Sequence, residues 1–302
     1  MTHLTPRRSF IRNGILAIGG ASFASRASTE ESAKRLFSSM GIAASLDQAA
    51  TLKAQGAEFL TAVTGDLLVP DQPEEVFARN LAKLAASPLP VLACNGFIRP
   101  KNLRCVGSEA NHDQILEWSE TAFRRLKLVG GKFMVFGSGG SRALRNGWTK
   151  EKADPQFIAL LKRLGPLAEK HGIIVAVEQL QASECNYINR IGEGAALIRA
   201  TGHPSIRLLA DLFHMTRMGD TPADLKEAMD VVVHVEIAEK AERSYPGVLG
   251  DDFRPFFRVL REAGYQRAIS IEGSGTEIQT GPAFKEIAKQ AAESAQAFRS
   301  ND

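Results

Sequence analysis

Short apolar segments alternate with longer amphipathic segments along almost the whole chain, and this alternation constrains the fold more than any other feature. The short segments are rich in Val, Ile and Phe, are bounded by Gly or polar residues, and predict eight β-strands. They lie at 41–45, 59–64, 91–97, 133–137, 173–179, 206–212, 231–238 and 268–273. The segments between them have the apolar spacing of helices. A strict order of strand then helix requires parallel strands joined by helical crossovers.

Eight such units in a chain of 302 residues predict an α/β protein with a single (β/α)8 barrel over residues 40–300. A helical leader is expected at about 29–39, within a leader segment at 28–39. An open, doubly wound sheet is the alternative. It would need a Gly-rich phosphate-binding turn after the first strand, where this chain has Ala44-Ser45-Leu46-Asp47.

The first 27 residues have the pattern of an export signal. Arg7 and Arg8 are followed by Ser-Phe-Ile, then by a weakly apolar stretch at 13–24 and by the small residues of Ser25-Arg26-Ala27. This order is that of a secretory signal, and the paired arginines resemble a twin-arginine (Tat) signal. We therefore expect residues 1–27 to be a Tat-type signal peptide, with the Tat machinery as a partner and a periplasmic or exported location. No stable membrane insertion is expected after cleavage, and a disordered basic tail is the alternative.

The net charge of +3 comes from this N-terminal segment, which carries four arginines and no acidic residue. Of the 37 basic residues in the chain, 33 therefore lie outside it, against 34 acidic residues. A nucleic-acid-binding protein needs basic residues clustered on its folded domain. The charge balance therefore predicts no nucleic-acid partner.

The three cysteines, Cys94, Cys105 and Cys185, form no CxxC pair. An odd number in an exported chain leaves at least one thiol unpaired within the chain. We expect buried, unbridged side chains that pack as small apolar groups. A disulfide between Cys94 and Cys105 is the alternative.

Acidic residues stand at the ends of the last four predicted strands. Glu178, Asp211 and Glu272 end strands five, six and eight, and strand seven contains His234-Val-Glu236. A barrel enzyme places its chemistry at these strand ends, where four carboxylates in an apolar mouth would repel one another. A divalent cation removes that cost, and oxygen ligands favour Mg²⁺ or Mn²⁺. The pattern therefore predicts one bound divalent metal ion, although any single acid at a strand end could be a solvated turn residue.

Longer stretches around these acids resemble the sugar phosphate isomerase/epimerase superfamily, whose members have a xylose-isomerase-like barrel. The resemblance covers about residues 40–298 and is nearest to the hydroxypyruvate isomerase and ketose 3-epimerase branches. The matching stretches are Val-Glu178-Gln-Leu-Gln-Ala-Ser-Glu184, Asp211-Leu-Phe-His214-Met, His234-Val-Glu236-Ile-Ala-Glu, Arg243-Ser-Tyr-Pro-Gly and Ile-Glu272-Gly.

The resemblance implies a metal site made by Glu178, Asp211, Glu272 and one residue of strand seven. The family has His or Gln at the ligand position of strand seven, where this chain has Glu236. Side chains alternate along a strand, so His234 and Glu236 should both point into the barrel. We expect Glu236 to be the ligand and His234 to be a neighbour that contacts substrate, with His234 as the ligand as the alternative.

This set of residues suggests proton transfer on an α-hydroxy carbonyl substrate. The metal ion would act as a Lewis acid that stabilises an enediolate. Glu178 and Glu272, on nearly opposite sides, would be the catalytic residues that remove and return a carbon-bound proton. His214, Arg243 and Glu184 would bind substrate oxygens. We therefore expect a sugar isomerase or epimerase that acts on a carbohydrate, phosphorylated or not, and that could form a homodimer.

Three other functions remain open on the same barrel. A dehydratase similar to inosose or dehydroshikimate dehydratases would begin with the same proton abstraction. A periplasmic sugar-binding barrel would keep the fold without turnover. A phosphodiester hydrolase, like the endonucleases that share this barrel, would need more histidine ligands than His214 and His234 provide.

Overall fold

The computed structural model describes residues 35–295, and the signal peptide predicted at 1–27 lies outside this range. Eight strands close into a barrel in sequence order, and β1 pairs with β8 to complete the ring. The strands are β1 (Met40–Ala43), β2 (Phe59–Val63), β3 (Val91–Asn95), β4 (Phe133–Phe136), β5 (Ile174–Glu178), β6 (Ile206–Asp211), β7 (Val232–Ile237) and β8 (Ile269–Ile271). All neighbouring strands are parallel. The predicted (β/α)8 barrel is therefore confirmed, and the open sheet is excluded.

Helices follow the strands and cover the outside of the barrel. Within residues 35–295 they are α1 (Ala49–Ala54), α2 (Thr64–Leu67), α3 (Glu74–Ala85), α4 (His112–Leu128), α5 (Gly139–Arg142), α6 (Lys150–His171), α7 (Ile191–Thr201), α8 (Leu212–Met218), α9 (Pro222–Ala228), α10 (Arg254–Glu262) and α11 (Glu277–Glu293). Most of the leader expected at 29–39 lies outside the described residues. The helix predicted over the last part of this leader is wrong, because residues 35–39 contain bends and lead into β1.

Residues with special backbone preferences end and begin several helices as their sequence positions suggest. Gly172 ends α6 and Gly202 ends α7, both at a φ of 69°, a conformation that glycine adopts without steric cost. Thr221 precedes α9, and its side chain accepts a hydrogen bond from the Asp224 N–H. These caps fix where each crossover turns back toward the next strand.

Two apolar clusters support the mouth of the barrel. A small cluster inside the barrel consists of Ala93, Val135, Ala176, Leu209 and Val233. A much larger one fills the space between strands and helices, with fully buried side chains such as Val177, Leu208 and Val235. Inward-facing and outward-facing residues alternate along the strands except at the register shifts between β2 and β3 and between β6 and β7. The last inward position of a strand lies at the barrel mouth.

The three cysteines are buried and unbridged, as expected, and the alternative Cys94–Cys105 disulfide is absent. Among residues 35–295, no helix combines the length and the apolar character needed to cross a membrane.

Candidate active site

Four carboxylates meet at the C-terminal mouth of the barrel. Glu178 and Asp211 are the last residues of β5 and β6, Glu236 lies one residue before the end of β7, and Glu272 directly follows β8. One oxygen of each lies within 4.8 Å of the corresponding oxygens of the others. Asp211 and Glu236 are fully buried, and Glu178 is 5% exposed. The four residues predicted as metal ligands are therefore brought together.

Several oxygens of this cluster lack hydrogen-bond partners. Within the described residues, both oxygens of Glu236 and Oε1 of Glu178 are buried without one. Burial raises the pKa of Glu178 to about 7. Burial also raises the pKa of Glu236, and the neighbouring charges of Glu272 and Glu178 raise it further. Because buried, unpaired carboxylates are costly, this oxygen-rich donor set fits one hard divalent cation. Glu178, Asp211 and His214 form a second, overlapping group with metal-ligand spacing.

Asp211 connects the end of β6 to the start of α8. Its Oδ1 accepts hydrogen bonds from the N–H groups of Phe213, at 2.7 Å, and His214, at 3.2 Å, and so caps the helix. This leaves Oδ2 directed toward the other site residues, 3.6 Å from His214 Nε2. The sequence Asp-x-x-His therefore places an acid and an imidazole on the same side of one helical turn.

His214 is fully buried with its Nε2 among carboxylates. The Gln181 N–H lies 3.2 Å from Nδ1 and donates to it, so Nε2 carries the proton of the neutral ring. Nε2 lies 3.5 Å from Glu178 Oε1. Burial lowers the pKa of His214, but the charges of Asp211 and Glu178 outweigh this and raise it to about 9. Nε2 therefore offers an N–H donor to the pocket in both protonation states, and protonation of the ring at Nδ1 breaks the hydrogen bond from Gln181.

Arg243 joins two of the carboxylates. Its guanidinium donates to Glu272 Oε2 at 2.7 Å and to the Glu272 carbonyl oxygen at 2.9 Å, and it lies 3.4 Å from Asp211 Oδ2. The guanidinium also lies over the Phe213 ring, 4.9 Å from its centroid. Burial lowers the pKa of Arg243, but the Glu272 and Asp211 charges outweigh it and raise the pKa, so the group stays cationic.

Glu184 lies at the rim of the site. Its carboxylate accepts a hydrogen bond from Gln181 Nε2 at 2.8 Å and lies 3.7 Å from the Arg243 guanidinium. The side chain is 37% exposed. It is therefore close enough to the cluster to meet a bound molecule but is open to solvent.

His234 lies deeper than the expected substrate contact. Its ring stacks on Phe133 at 5.3 Å and lies 6.4 Å from Phe59, the first residues of β4 and β2. It does not line the cavity above the carboxylates. Burial lowers its pKa to about 4, so the ring is neutral. The expectation that both strand-seven side chains point inward holds, but a substrate contact by His234 is not supported, because the ring sits one layer below Glu236.

A cavity of about 480 Å³ opens above the carboxylates. Its wall includes Glu178, Glu184, His214, Arg243 and Glu272, together with Val63, Asn95, Arg99 and the turn at 137–140. This size is within the range of small-molecule sites, roughly 300–1,000 Å³. The predicted substrate-binding residues other than His234 therefore surround one cavity.

The sequence did not reveal two residues that organise this site. Asn95, at the end of β3, donates to Glu272 Oε1 at 2.7 Å. Glu239, fully buried after β7, accepts backbone N–H groups of Gly247 at 2.8 Å and Gly250 at 3.0 Å, and so holds the loop that carries Arg243. Asn95 lies in none of the stretches that resemble the family, and Glu239 ends one of them, at 234–239, with no role predicted for it. Each acts through contacts that a linear pattern does not show.

Comparison with known proteins places this site in a family. The xylose isomerase-like TIM barrel family matches residues 46–301. The chain belongs to this family. Curated relatives include a putative hydroxypyruvate isomerase from Mus musculus, 27% identical over 128 residues, which are 41% of this chain and 46% of that protein. An L-ribulose 3-epimerase from Mesorhizobium japonicum is 30% identical over 121 residues, 40% of each chain. The chain thus spans less than half the length of these two relatives.

Several solved structures have the same fold over most of the chain. A structure of L-ribulose 3-epimerase has a TM-score of 0.73 at 19% identity, over 86% of this chain and 96% of that one. Apo 3-keto-D-glucoside 4-epimerase from E. coli has a TM-score of 0.66 at 20% identity, over 86% and 98%. The IolI protein with a bound zinc atom has a TM-score of 0.65 at 20% identity, over 85% and 97%. At these identities the likeness shows the shared fold.

Proposed function

We propose that this chain is a divalent-metal-dependent sugar isomerase or epimerase that moves a proton at a carbon next to a carbonyl group. The observation that carries the proposal is the cluster of Glu178, Asp211, Glu236 and Glu272 at the barrel mouth, with unpartnered oxygens below an open cavity. The names of the curated relatives, which include sugar isomerases and 3-epimerases, support the same reaction class.

The four carboxylates would hold one divalent cation, Mn²⁺ or Mg²⁺ in our proposal, since oxygen ligands favour hard ions. When bound, the cation would polarise the substrate carbonyl and would neutralise part of the negative charge of the four carboxylates. The structure of the IolI protein, which has the same fold, contains a zinc atom, and this supports a divalent ion in the present barrel. Glu236 replaces a neutral ligand with a charged one, which supports the choice of a hard ion here.

Glu178 and Glu272 are proposed as the residues that exchange protons with substrate carbon. Glu178 reaches the cavity from the end of β5 beside His214 Nε2, and a carboxylate held in this way can take up and release a carbon-bound proton. Glu272 is held by Arg243 from one side and by Asn95 from the other. The two carboxylates belong to strands three positions apart in the ring of eight, so each faces a bound sugar from a different side.

His214 and Arg243 are proposed to hold the substrate oxygens. The His214 Nε2–H and the Arg243 guanidinium both face the cavity, and both lie beside carboxylates that keep them in place. Such fixed donors stabilise negative charge that develops on a carbonyl oxygen as the neighbouring proton leaves. Glu184, at the rim, would accept a hydrogen bond from a sugar hydroxyl.

Deuterium exchange tests this proposal. The purified protein is chelated, reloaded with Mn²⁺ or Mg²⁺, and incubated in D₂O with ketoses, aldoses and keto-sugars, while NMR follows deuterium at the carbon next to the carbonyl. We expect exchange that depends on metal and falls at least 100-fold in Glu178→Gln and in Glu272→Gln. Glu75→Gln, an exposed glutamate on α3, is the matched control and should keep full activity.

The products distinguish the remaining reactions. An aldose–ketose pair identifies an isomerase, and an inverted carbinol identifies an epimerase. Loss of water with a new C=C absorbance would replace the proposal with a dehydratase. Tight sugar binding by the metal-loaded protein without exchange would replace it with a binding protein.

We also propose that the barrel acts after export, on the basis of the paired arginines in the N-terminal sequence. A fusion of residues 1–27 to a reporter should reach the periplasm of a bacterium with a Tat system. Replacing Arg7 and Arg8 by lysine should leave the reporter in the cytoplasm. Export of both forms alike, or of neither, would contradict a Tat signal.

A further inference from the structure

A fully buried arginine lies in the segment 137–142, which follows β4 and contains α5; we call this segment the β4 turn. Arg142 donates through Nη2 to the carbonyl oxygen of Glu178 and through Nη1 to that of Phe136, at 3.3 Å. It forms no ion pair with any residue of 35–295, and its Nε has no hydrogen-bond partner there. Arg125, buried to the same degree, has the Glu74 carboxylate at 2.8 Å. Because a buried cation without a carboxylate partner is costly, the two carbonyl contacts of Arg142 need a reason.

These contacts lie where β4 and β5 separate. Phe136 and Val177 form the last residue pair of the two strands, and Glu178 is one residue beyond it. The Arg142 guanidinium binds one carbonyl oxygen from each strand at this point. Arg142 therefore joins the two strands beyond their last pair, at the backbone of a proposed catalytic residue.

The other end of Glu178 also contacts the β4 turn. A Cβ atom at Gly137 would lie 2.2 Å from Glu178 Oε2, which is far inside ordinary van der Waals contact. The carboxylate therefore lies directly against the Gly137 backbone. On its other side, Oε1 is 3.5 Å from His214 Nε2. The β4 turn thus contacts both the carbonyl group and the carboxylate of Glu178.

The β4 turn is itself held by the segment that follows β3. Arg104 donates to the carbonyl oxygens of Gly140 and Ala143, the second at 2.6 Å. The Ser138 hydroxyl accepts the Ile98 N–H at 2.9 Å. Ser138 has a φ of 37°, in the left-handed region that favours glycine, so surrounding contacts must keep it there. The turn is therefore a fixed support for Glu178.

We propose that the β4 turn positions Glu178 for proton transfer, with Gly137 and Arg142 as positioning residues. This inference rests on the proposed function. Arg142 does not line the cavity and would act only through Glu178. A misplacement of about 1 Å can lower a reaction rate on the order of 100-fold, because the reacting atoms must be aligned. The other three carboxylates would still hold the cation after such a shift.

Gly137→Ala tests the contact with the carboxylate. The added methyl group should displace Oε2 and lower kcat for deuterium exchange about 100-fold, with KM changed less than about threefold. Mn²⁺ affinity should fall less than about tenfold. The melting temperature should stay close to that of the wild type, because the displaced group is the end of a flexible side chain. Gly192→Ala on α7, where no atom lies within 4 Å of the added Cβ, is the matched control and should keep full activity. An unchanged kcat in Gly137→Ala would overturn the inference.

Arg142→Met tests the contact with the backbone, and Arg125→Met is its matched control. Both variants lose carbonyl contacts of a buried arginine, so both should melt at a lower temperature. Each is assayed well below its own melting temperature. Only Arg142→Met should then lower kcat, at least about tenfold, and Arg142→Lys should recover part of it. Equal losses of kcat at the two positions would make Arg142 a purely structural residue. If Arg142→Met does not fold, the lysine variants of both positions make the same comparison.

Crystal structures of the wild type and Gly137→Ala separate this inference from the proposed reaction. The Glu178 carboxylate should move by about 1 Å to restore ordinary contact with the new methyl group, while Asp211 stays in place. If this movement occurs but the wild type exchanges no sugar proton, the proposed function fails and the support of Glu178 by the β4 turn stands. If the wild type is active and Glu178 does not move, the proposed function stands and the positioning role is overturned.

Discussion

The two halves of the barrel have the same secondary structure but different chemistry at their strand ends. Strands β1 to β4 end in uncharged residues, whereas β5 to β8 end in or beside carboxylates. The uncharged ends are Ala43, Val63, Asn95 and Phe136, and the carboxylates are Glu178, Asp211, Glu236 and Glu272. Since both halves complete the same closed ring, a charged strand end is not needed to build it. The carboxylates of β5 to β8 form the proposed reaction site, and the uncharged ends of β1 to β3 line cavity space beside it.

The two halves also differ in whether their buried polar groups have hydrogen-bond partners. On the uncharged side, the Thr64 hydroxyl donates to the Asn95 carbonyl oxygen at 2.7 Å, and the Asn95 amide donates to Glu272. On the charged side, both oxygens of Glu236 are buried without a hydrogen-bond partner among the described residues. Uncompensated buried charge lowers stability and is retained where function requires it. The carboxylate half should therefore depend on a bound cation, and the other half should not.

The largest expected effect is the loss of metal affinity in Glu236→Leu. The change removes one of the four oxygen donors and supplies no other ligand, so the affinity for Mn²⁺ should fall more than 100-fold, beyond the 10- to 100-fold typical of residues that only support ligands. Titration calorimetry or metal analysis after dialysis measures it, with the exposed Glu75→Gln as the control. Unchanged affinity in Glu236→Leu, together with loss in His234→Phe, would make His234 the ligand of β7.

The barrel and the four acids could be predicted because each depends on a pattern of neighbouring residues in the sequence. Apolar runs of strand length predicted all eight strands. Three of the acids directly follow or close such a run, and Glu236 lies inside one, a residue before the end of β7. The depth of His234 also follows from alternation. The pairing of β6 and β7 is regular from Leu209 with His234 to Asp211 with Glu236, so the inward residue before Glu236 lies one layer deeper. The expected substrate contact of His234 took account of the direction of its side chain and not of this layer.

Contacts between distant segments were also beyond sequence reasoning. Asn95 and Glu272 are 177 residues apart and meet only because the ring closes. Glu239 resembled another acid after an apolar strand, but its carboxylate is enclosed by the N–H groups of its own loop. In the sequence, an acid at a strand end that faces a cavity cannot be distinguished from one that accepts hydrogen bonds from the N–H groups of its own loop.

The second effect concerns stability and pH. Glu178, with its pKa raised to about 7, binds a proton more tightly when folded than when unfolded. The contribution of Glu178 to the free energy of unfolding is therefore complete below its ordinary pKa of 4.5. This contribution is lost as the pH rises through 7. Glu236 and His214 shift in the same direction. The metal-free protein should lose on the order of 2 kcal/mol of stability between pH 5 and pH 8, whereas the metal-loaded protein should not.

Thermal melting with and without a chelator at both pH values measures this effect. The difference between loaded and metal-free melting temperatures should grow with pH, because the metal ion binds the ionised carboxylates. In the absence of metal, Glu236→Gln should melt higher than the wild type at pH 8, since it removes one of the repelling charges. A metal-free wild type that melts higher at pH 8 than at pH 5 would mean that the cluster does not control stability.

The third effect comes from the loop that carries Arg243. In Glu239→Gln, an NH₂ group replaces one acceptor oxygen and faces backbone N–H groups that have lost their partner, at a cost of about 1–3 kcal/mol. Arg243 should lose its fixed position, so kcat/KM for exchange should fall roughly 10- to 30-fold, with metal affinity nearly unchanged. Glu242→Gln, an exposed glutamate in the same loop, is the control. A loss of metal affinity equal to that of Glu236→Leu would show that Glu239 supports the carboxylates directly.

The smallest effect tests the contact that joins the two halves. Asn95→Ala removes the 2.7 Å hydrogen bond to Glu272, while Arg243 still holds the other carboxylate oxygen. A hydrogen bond to a charged group contributes about 1.5–3 kcal/mol, and the remaining contact should limit the loss in kcat to about tenfold. Metal affinity should change less than threefold, because three ligands and the second contact to Glu272 remain. Stopped-flow metal binding and steady-state exchange separate the two quantities. If Asn95→Ala instead abolishes metal binding, the uncharged half is part of the metal site, and the division between a reacting half and a space-providing half is wrong.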